Sequence, residues 1–158
     1  KIRPDIIESA ISSYNSDDFF LLYKKRQTLN RFINEDIGKN IMSSYKRASN
    51  ILEQEIKKNK FEIKGNPNPI LFNQEEEKSL FDEINEIRKN LSNNFKNENH
   101  EKTLQIMANS KIKTDEFFEN VVVNNENESI KKNRLELLKM FCVTLDNFID
   151  LSKIETIE

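Results

Sequence analysis

Two glycines and three prolines in 158 residues are too few turn-forming residues for an all-β fold built on tight hairpins. Gly65, Pro67 and Pro69 cluster together, which leaves long stretches on either side almost free of backbone breakers. In those stretches apolar residues recur at steps of three and four, the period of amphipathic helices. The expectation is an all-α bundle of about six to seven helices.

Pro4 suits a first helical turn, and Ile7, Ile11 and Tyr14 follow at helical spacing. After a break at Asn15 to Asp18, Phe19, Leu22, Arg26, Leu29 and Ile33 mark a second helix, with Phe20 and Phe32 beside them and a basic cluster at Lys24 to Arg26. Asp36 to Gly38 reads as a break. From Ile41 to about Lys58, Ile41, Tyr45, Ala48, Leu52 and Ile56 share one stripe, a core face. The region 59–70 reads as a flexible internal connection, because each residue before a proline is pushed towards extended conformations. It is expected to dock through Ile70, Leu71 and Phe72. Asn73 with Glu76 resembles a capping box; Leu80, Ile84, Ile87 and Leu91 continue that helix to a turn near Asn93. A shorter helix is expected over Asn99 to Ala108, with Leu104 and Met107 inward. Thr114 is expected to cap a helix carrying Phe117 and Phe118 and ending through Val121 to Val123. The last helix, from about Ser129 to Leu151, is the most apolar. Leu138, Phe141, Leu145, Phe148 and Ile149 share a face that Leu135, Leu137 and Cys142 widen, as in a helix surrounded by others.

The chain is long enough to bury about 70% of its unfolded surface in one domain. It starts at Lys1 without a methionine and is read as a fragment of a longer polypeptide. No apolar run approaches the ~18 residues of a membrane span. A single cysteine excludes internal disulfides and fits a reducing cytoplasm. The net charge is −2, so any nucleic-acid contact must be a local basic patch. His100 and Cys142 are the only histidine and cysteine, too few for zinc sites of the usual kind. Cys142 lies on a core stripe, the place of a structural thiol and not of a nucleophile. Gly38 and Gly65 alone cannot build a phosphate loop. Carboxylates are many, but none stands out as an acid–base pair. The reading is a chain without catalytic residues.

Two features carry chemistry. Opposite the core stripe of the central helix lie Ser43, Arg47, Asn50 and Gln54, with Lys46 and Lys57 beside them. Such a row of donors can meet RNA; it can equally be an ordinary solvated face. Arg134 shares the apolar direction of Leu138, Phe141 and Leu145. An arginine there either pairs with a carboxylate of a neighbouring helix or opens into a groove holding something anionic.

The ordered landmarks RPDIIESAI, LNRFIN, SYKRASNIL, ILFNQEEEKSLF, DEFFENVVVN, NRLELL and IDLSKIE together resemble the C-terminal region of the bacterial glycyl-tRNA synthetase beta subunit. Lys46 to Leu52 is similar to that family's KRxxNIL stretch, and Phe117-Phe118 with Val121 and Val123 to its FFDxVxV. Asn133-Arg134-Leu135 with Leu137-Leu138 is similar to NRLxLL, and Asp150 to Ile154 to a terminal DFSKL, with Leu151 replacing Phe. Ile112-Lys113 stands where the family tends to have two prolines, and the connection is longer and richer in lysine (Lys57, Lys58, Lys60, Lys64). The resemblance implies a DALR-type anticodon-binding domain over residues 1–158, similar to the one in arginyl-tRNA synthetase. It implies that the chain binds the tRNA(Gly) anticodon and adjoins the rest of the beta subunit. The alpha subunit would activate glycine with ATP and magnesium; no cofactor is expected in this piece. On that reading Arg47 and Asn50 meet bases, Asn133 and Arg134 line the adjoining groove, and Lys46, Lys57 and Lys153 contact phosphates. The alternative is a helical protein–protein adaptor with no RNA contact, whose binding would lack the steep salt dependence of phosphate contacts.

Overall fold

A computed structural model of the chain describes residues 4–12, 23, 27, 29, 30, 33–59, 63–96, 102, 105, 106, 110–147 and 151–153. These residues form five α-helices: α1 (Pro4–Ser12), α2 (Asp36–Asn59), α3 (Glu75–Lys96), α4 (Lys111–Asn120) and α5 (Glu128–Asp146). Short 3-10 turns cover Pro69–Leu71 and Leu151–Lys153, and no strand occurs among the described residues. Leu29, Ile33, Gln105 and Ile106 are also helical, in the two segments where the sequence predicts further helices. Most of those segments, including Phe19, Leu22, Arg26, His100, Leu104 and Met107, lies outside the described residues, as do Phe148 and Ile149.

The architecture is all-α, with α5 at its centre. This helix packs against α2 and α3; α4 in turn packs against α3 and α2. Leu135, Leu137, Leu138, Phe141 and Leu145 are each at most 1% exposed, as the broad stripe requires. Burying a side chain of this kind contributes about 1.5–3 kcal/mol. Cys142 is buried too. Burial, reinforced by the Asp146 carboxylate, pushes its thiol up to about 12, which keeps it protonated and unreactive at neutral pH.

Several boundaries differ from expectation. Asp36 to Gly38 is the first turn of α2 and not a break; Asp36 there suits the positive helix end. Ile41, Tyr45, Ala48 and Leu52 are buried, but Ile56 is 40% exposed, because the last turn of α2, with exposed Lys57 and Lys58, overhangs the core. α3 continues past Asn93 to Lys96. α4 starts at Lys111; Thr114 lies inside it, buried, and its hydroxyl donates to the Ser110 carbonyl at 2.9 Å. Val121 leaves the helix in an extended conformation. α5 starts at Glu128 and is capped by Asn127, whose side-chain oxygen accepts from the Ser129 and Ile130 amides.

The connection between α2 and α3 is tied down along α5. The Lys139 ammonium donates to the Ile63 carbonyl at 2.6 Å. The Asn133 side chain bonds both polar groups of the Asn68 backbone: its oxygen accepts from Asn68 N at 2.6 Å and its amide donates to Asn68 O at 3.1 Å. Between these ties Gly65 has φ +117°, and a Cβ there would lie 2.6 Å from the Glu136 carboxylate. Only glycine suits both the backbone angle and the close approach. Docking therefore runs through Ile63 and Pro67, which are buried, with Phe72 half-buried against Phe81. Ile70 and Leu71 do not dock: they are 88% and 37% exposed, on the turn that bulges out beyond the Asn68 anchor.

The capping carboxylate of α3 is Glu77, not Glu76. One of its oxygens accepts from the Asn73 and Gln74 amides at 3.0 Å each, and the other accepts from Arg134 Nε at 2.9 Å. Glu77 is fully buried and Arg134 is 3% exposed. The guanidinium also donates to the Gln74 side-chain oxygen at 2.9 Å, to Glu77 again at 3.2 Å and to the Val122 carbonyl at 2.8 Å. Arg134 is thus the buried partner of a neighbouring-helix carboxylate, and one residue clamps the N-terminus of α3 to the loop after α4.

Two stability predictions follow from this packing. Ala48 is 0% exposed, so Ala48→Leu should overpack the core and destabilise by about 1–3 kcal/mol; an unchanged melting temperature would place Ala48 on the surface. Arg134→Met strands a buried carboxylate and should cost about 3–5 kcal/mol in urea unfolding. A loss below 1 kcal/mol would mean that the Glu77 pair does not hold the fold.

Candidate nucleic-acid interface

Ser43, Arg47, Asn50 and Gln54 are exposed on α2, as the period predicts. They do not all face the same feature. At about 100° per residue, Arg47, Gln54 and Lys58 form one row, and Lys46, Asn50 and Lys57 a second row displaced around the helix. The first row borders a cleft of about 560 Å³. Val121 to Asn124 and Phe118 form its opposite wall, and Lys131 and Leu135 of α5 lie between.

The wall is built from the C-terminal end of α4 and the segment that follows it. A helix leaves its last four carbonyls without intrahelical partners, and here neighbouring elements supply donors. The Val121 amide takes the Phe117 carbonyl at 2.9 Å, and Arg47 Nη2 donates to the Phe118 carbonyl at 3.2 Å. Gln74 Nε2 donates to the Asn120 carbonyl at 3.1 Å, and Arg134 holds that of Val122. The Arg47 guanidinium carbon sits 4.5 Å from the centroid of the Phe118 ring, a cation–π contact that fixes the long side chain across the mouth of the cleft. Deeper in, Lys131 and Glu55 pair at 2.8 Å with 9% and 13% of their side chains exposed. The lining carries Arg47, Lys58 and Lys131 against Glu55 and Glu119. The excess is one positive charge, on a chain of net charge −2.

Of the residues assigned an RNA contact from sequence, Arg47 alone lines the cleft; Gln54, named in the same donor row, lines it too. Asn50 and Lys57 are exposed and Lys46 is half-buried on the neighbouring row; Lys57 pairs with Glu53 at 3.4 Å. Asn133 and Arg134 are 2% and 3% exposed and do not line the cleft. Their hydrogen-bonding groups are taken by Asn68, Gln74, Glu77 and Val122, so they are corrected from groove-lining contacts to internal supports, Arg134 behind the wall and Asn133 at the Asn68 anchor. Lys153 pairs with Glu8 at 3.2 Å on the turn that packs against α1, away from the cleft. Sequence reasoning placed Phe118 on the helix after Thr114 without a role at a site and gave Lys58 no place in the row. The available signal was spacing, since Lys58 lies eleven residues, about three turns, after Arg47. Among the described residues no group of three or more His, Cys, Asp or Glu side chains could hold a metal ion. No described helix is long and apolar enough to cross a membrane.

Residues 41–158 match the DALR anticodon binding domain family. Over 154 residues, 98% of the chain, the sequence is 30% identical to the glycine–tRNA ligase beta subunit of Cereibacter sphaeroides, of which this covers 22%. It is 32% identical over 154 residues to the beta subunit of Ruegeria sp. (strain TM1040), again 22% of that protein. The beta subunit of Rickettsia africae is 31% identical over 130 residues, 82% of this chain and 19% of that protein. The chain thus spans about a fifth of the length of these curated relatives. The match over residues 41–158 contains all but the start of α2, the whole of α3 to α5 and every residue lining the cleft, and the chain belongs to the DALR anticodon binding domain family.

Proposed function

We propose that this chain recognises the anticodon of tRNA(Gly) as part of a cytoplasmic glycine–tRNA ligase, and that it contributes binding and no catalytic group. The observation that carries the reading is the cleft itself. A planar arginine, preorganised over an aromatic ring, borders a local excess of positive charge within the family-matched region. In this proposal the alpha subunit holds glycine, ATP and magnesium, and the remainder of the beta subunit carries this domain to the tRNA.

Glycine codons begin with two guanines, so the shared anticodon letters are cytosines. A cytosine splayed from its stack offers acceptors at O2 and N3. The Arg47 fork spends one N–H on the Phe118 carbonyl and has others left for those acceptors. Uracil presents a donor at N3 and leaves one arm unpaired. Lys46, Asn50 and Lys57 on the adjoining row meet the backbone and fix the register of the loop.

The test is binding of an anticodon stem-loop at several salt concentrations. Affinity should fall log-linearly with salt. Arg47→Lys keeps the charge but loses the fork. It should cost about 1–3 kcal/mol against the native loop and relax discrimination against a cytosine-to-uracil variant. Salt-independent binding, or full discrimination by a folded Arg47→Lys chain, would contradict the proposal.

A further inference from the structure

The cations around the cleft differ in what they already hold. Arg47 caps the end of α4, Lys131 is locked to Glu55, and Arg134 is buried behind the wall with four hydrogen bonds. Gln54 and Lys58 are different. Both line the cleft and are exposed, and neither has a hydrogen-bond or ion-pair partner among the described residues. They are one helical turn apart on the same face. Opposite them stands Val122, 69% exposed, an apolar surface whose position is set from behind by Arg134.

We infer that Gln54 and Lys58 form a second nucleotide subsite, Gln54 meeting the edge of one unstacked base and Lys58 its phosphate. The inference rests on the RNA reading above and extends it along α2. Arg47 and Gln54 are separated by about 10 Å of helix axis, too far for one base to contact both through its edge. A nucleotide at Gln54 is therefore the neighbour of the one at Arg47. The chemistry of each residue sets what its site can do. An amide offers a donor and an acceptor side by side. It can pair with the Watson–Crick edge of cytosine and, turned over, with that of uracil, so Gln54 favours a base without choosing between pyrimidines. Lysine is a point charge that contacts phosphate without reading sequence. The face of the base lies against Val122, out of water. Selectivity then falls to Arg47, and the second subsite adds affinity and register.

The experiment measures binding of the anticodon stem-loop to the 158-residue chain across a salt series, with folding of each variant checked by thermal unfolding. Lys58→Gln should lower the magnitude of the log–log salt slope by about 0.7, the value for one single-strand phosphate contact. Gln54→Met, similar in length but without hydrogen-bonding groups, should weaken binding about 5–30-fold with the slope unchanged. The loss should be the same for cytosine and uracil at the neighbouring position. Lys89→Gln, an exposed charge paired with Glu86 on α3, should leave both affinity and slope as in the parent chain. If the parent binds with steep salt dependence while Gln54→Met and Lys58→Gln match it, the second subsite is wrong and the RNA reading stands. If the parent binds no RNA, both fall.

Discussion

The buried pair of Arg134 and Glu77 ties together by hydrogen bonds three parts of the chain: two packed helices and the segment that leaves a third. Glu77 belongs to the first turn of α3, Arg134 to the second turn of α5, and the Val122 carbonyl to the segment leaving α4. Two charges removed from water are costly unless geometry and extra hydrogen bonds compensate. Here both conditions are met. Each Glu77 oxygen has a donor, two backbone amides at the helix entrance are satisfied by the same carboxylate, and the guanidinium bonds on three sides. Replacing such a pair by apolar residues can leave stability unchanged. An apolar pair would not hold the Val122 carbonyl, however, and that bond sets where the cleft wall stands.

This arrangement separates architecture from recognition. The arginine and asparagine of the NRLELL stretch look on paper like ideal RNA contacts, yet one clamps α3 to the wall and the other anchors Asn68. In the proposed reading recognition passes to α2, whose outer row borders the wall that Arg134 supports. Arg47 serves both sides: it closes the end of α4 and presents its remaining N–H groups to the cleft. A side chain already fixed by a ring and a carbonyl loses less freedom on binding than a free one, which favours affinity.

Much of the framework was legible from periodicity. The stripe of α5 and the inward set of Ile41, Tyr45, Ala48 and Leu52 were readable because burial depends on a local repeat. Arg134 stood out because it broke that repeat. Its partner could not be read. Glu75, Glu76 and Glu77 are chemically equivalent in the sequence, and only the path of α5 decides that the third one points inward. The docking of the connection failed for a related reason. Ile70 and Leu71 are the obvious apolar anchors, but the bidentate bond between Asn133 and Asn68 turns the chain outward before they can bury. The cleft was partly hidden, since its far wall comes from the end of α4, more than 60 residues along the chain from Lys58.

The central claim is that RNA is met by the outer row of α2 together with the Val121 to Asn124 wall. Titrating the isotopically labelled chain with an anticodon stem-loop and following backbone amide shifts tests it most directly. Saturable changes should cluster at Arg47, Ile51, Gln54, Lys58 and residues 121–124, with α1 and the Leu151–Lys153 turn unmoved. Saturable changes centred on α1 and Lys153, with the cleft residues still, would contradict the account.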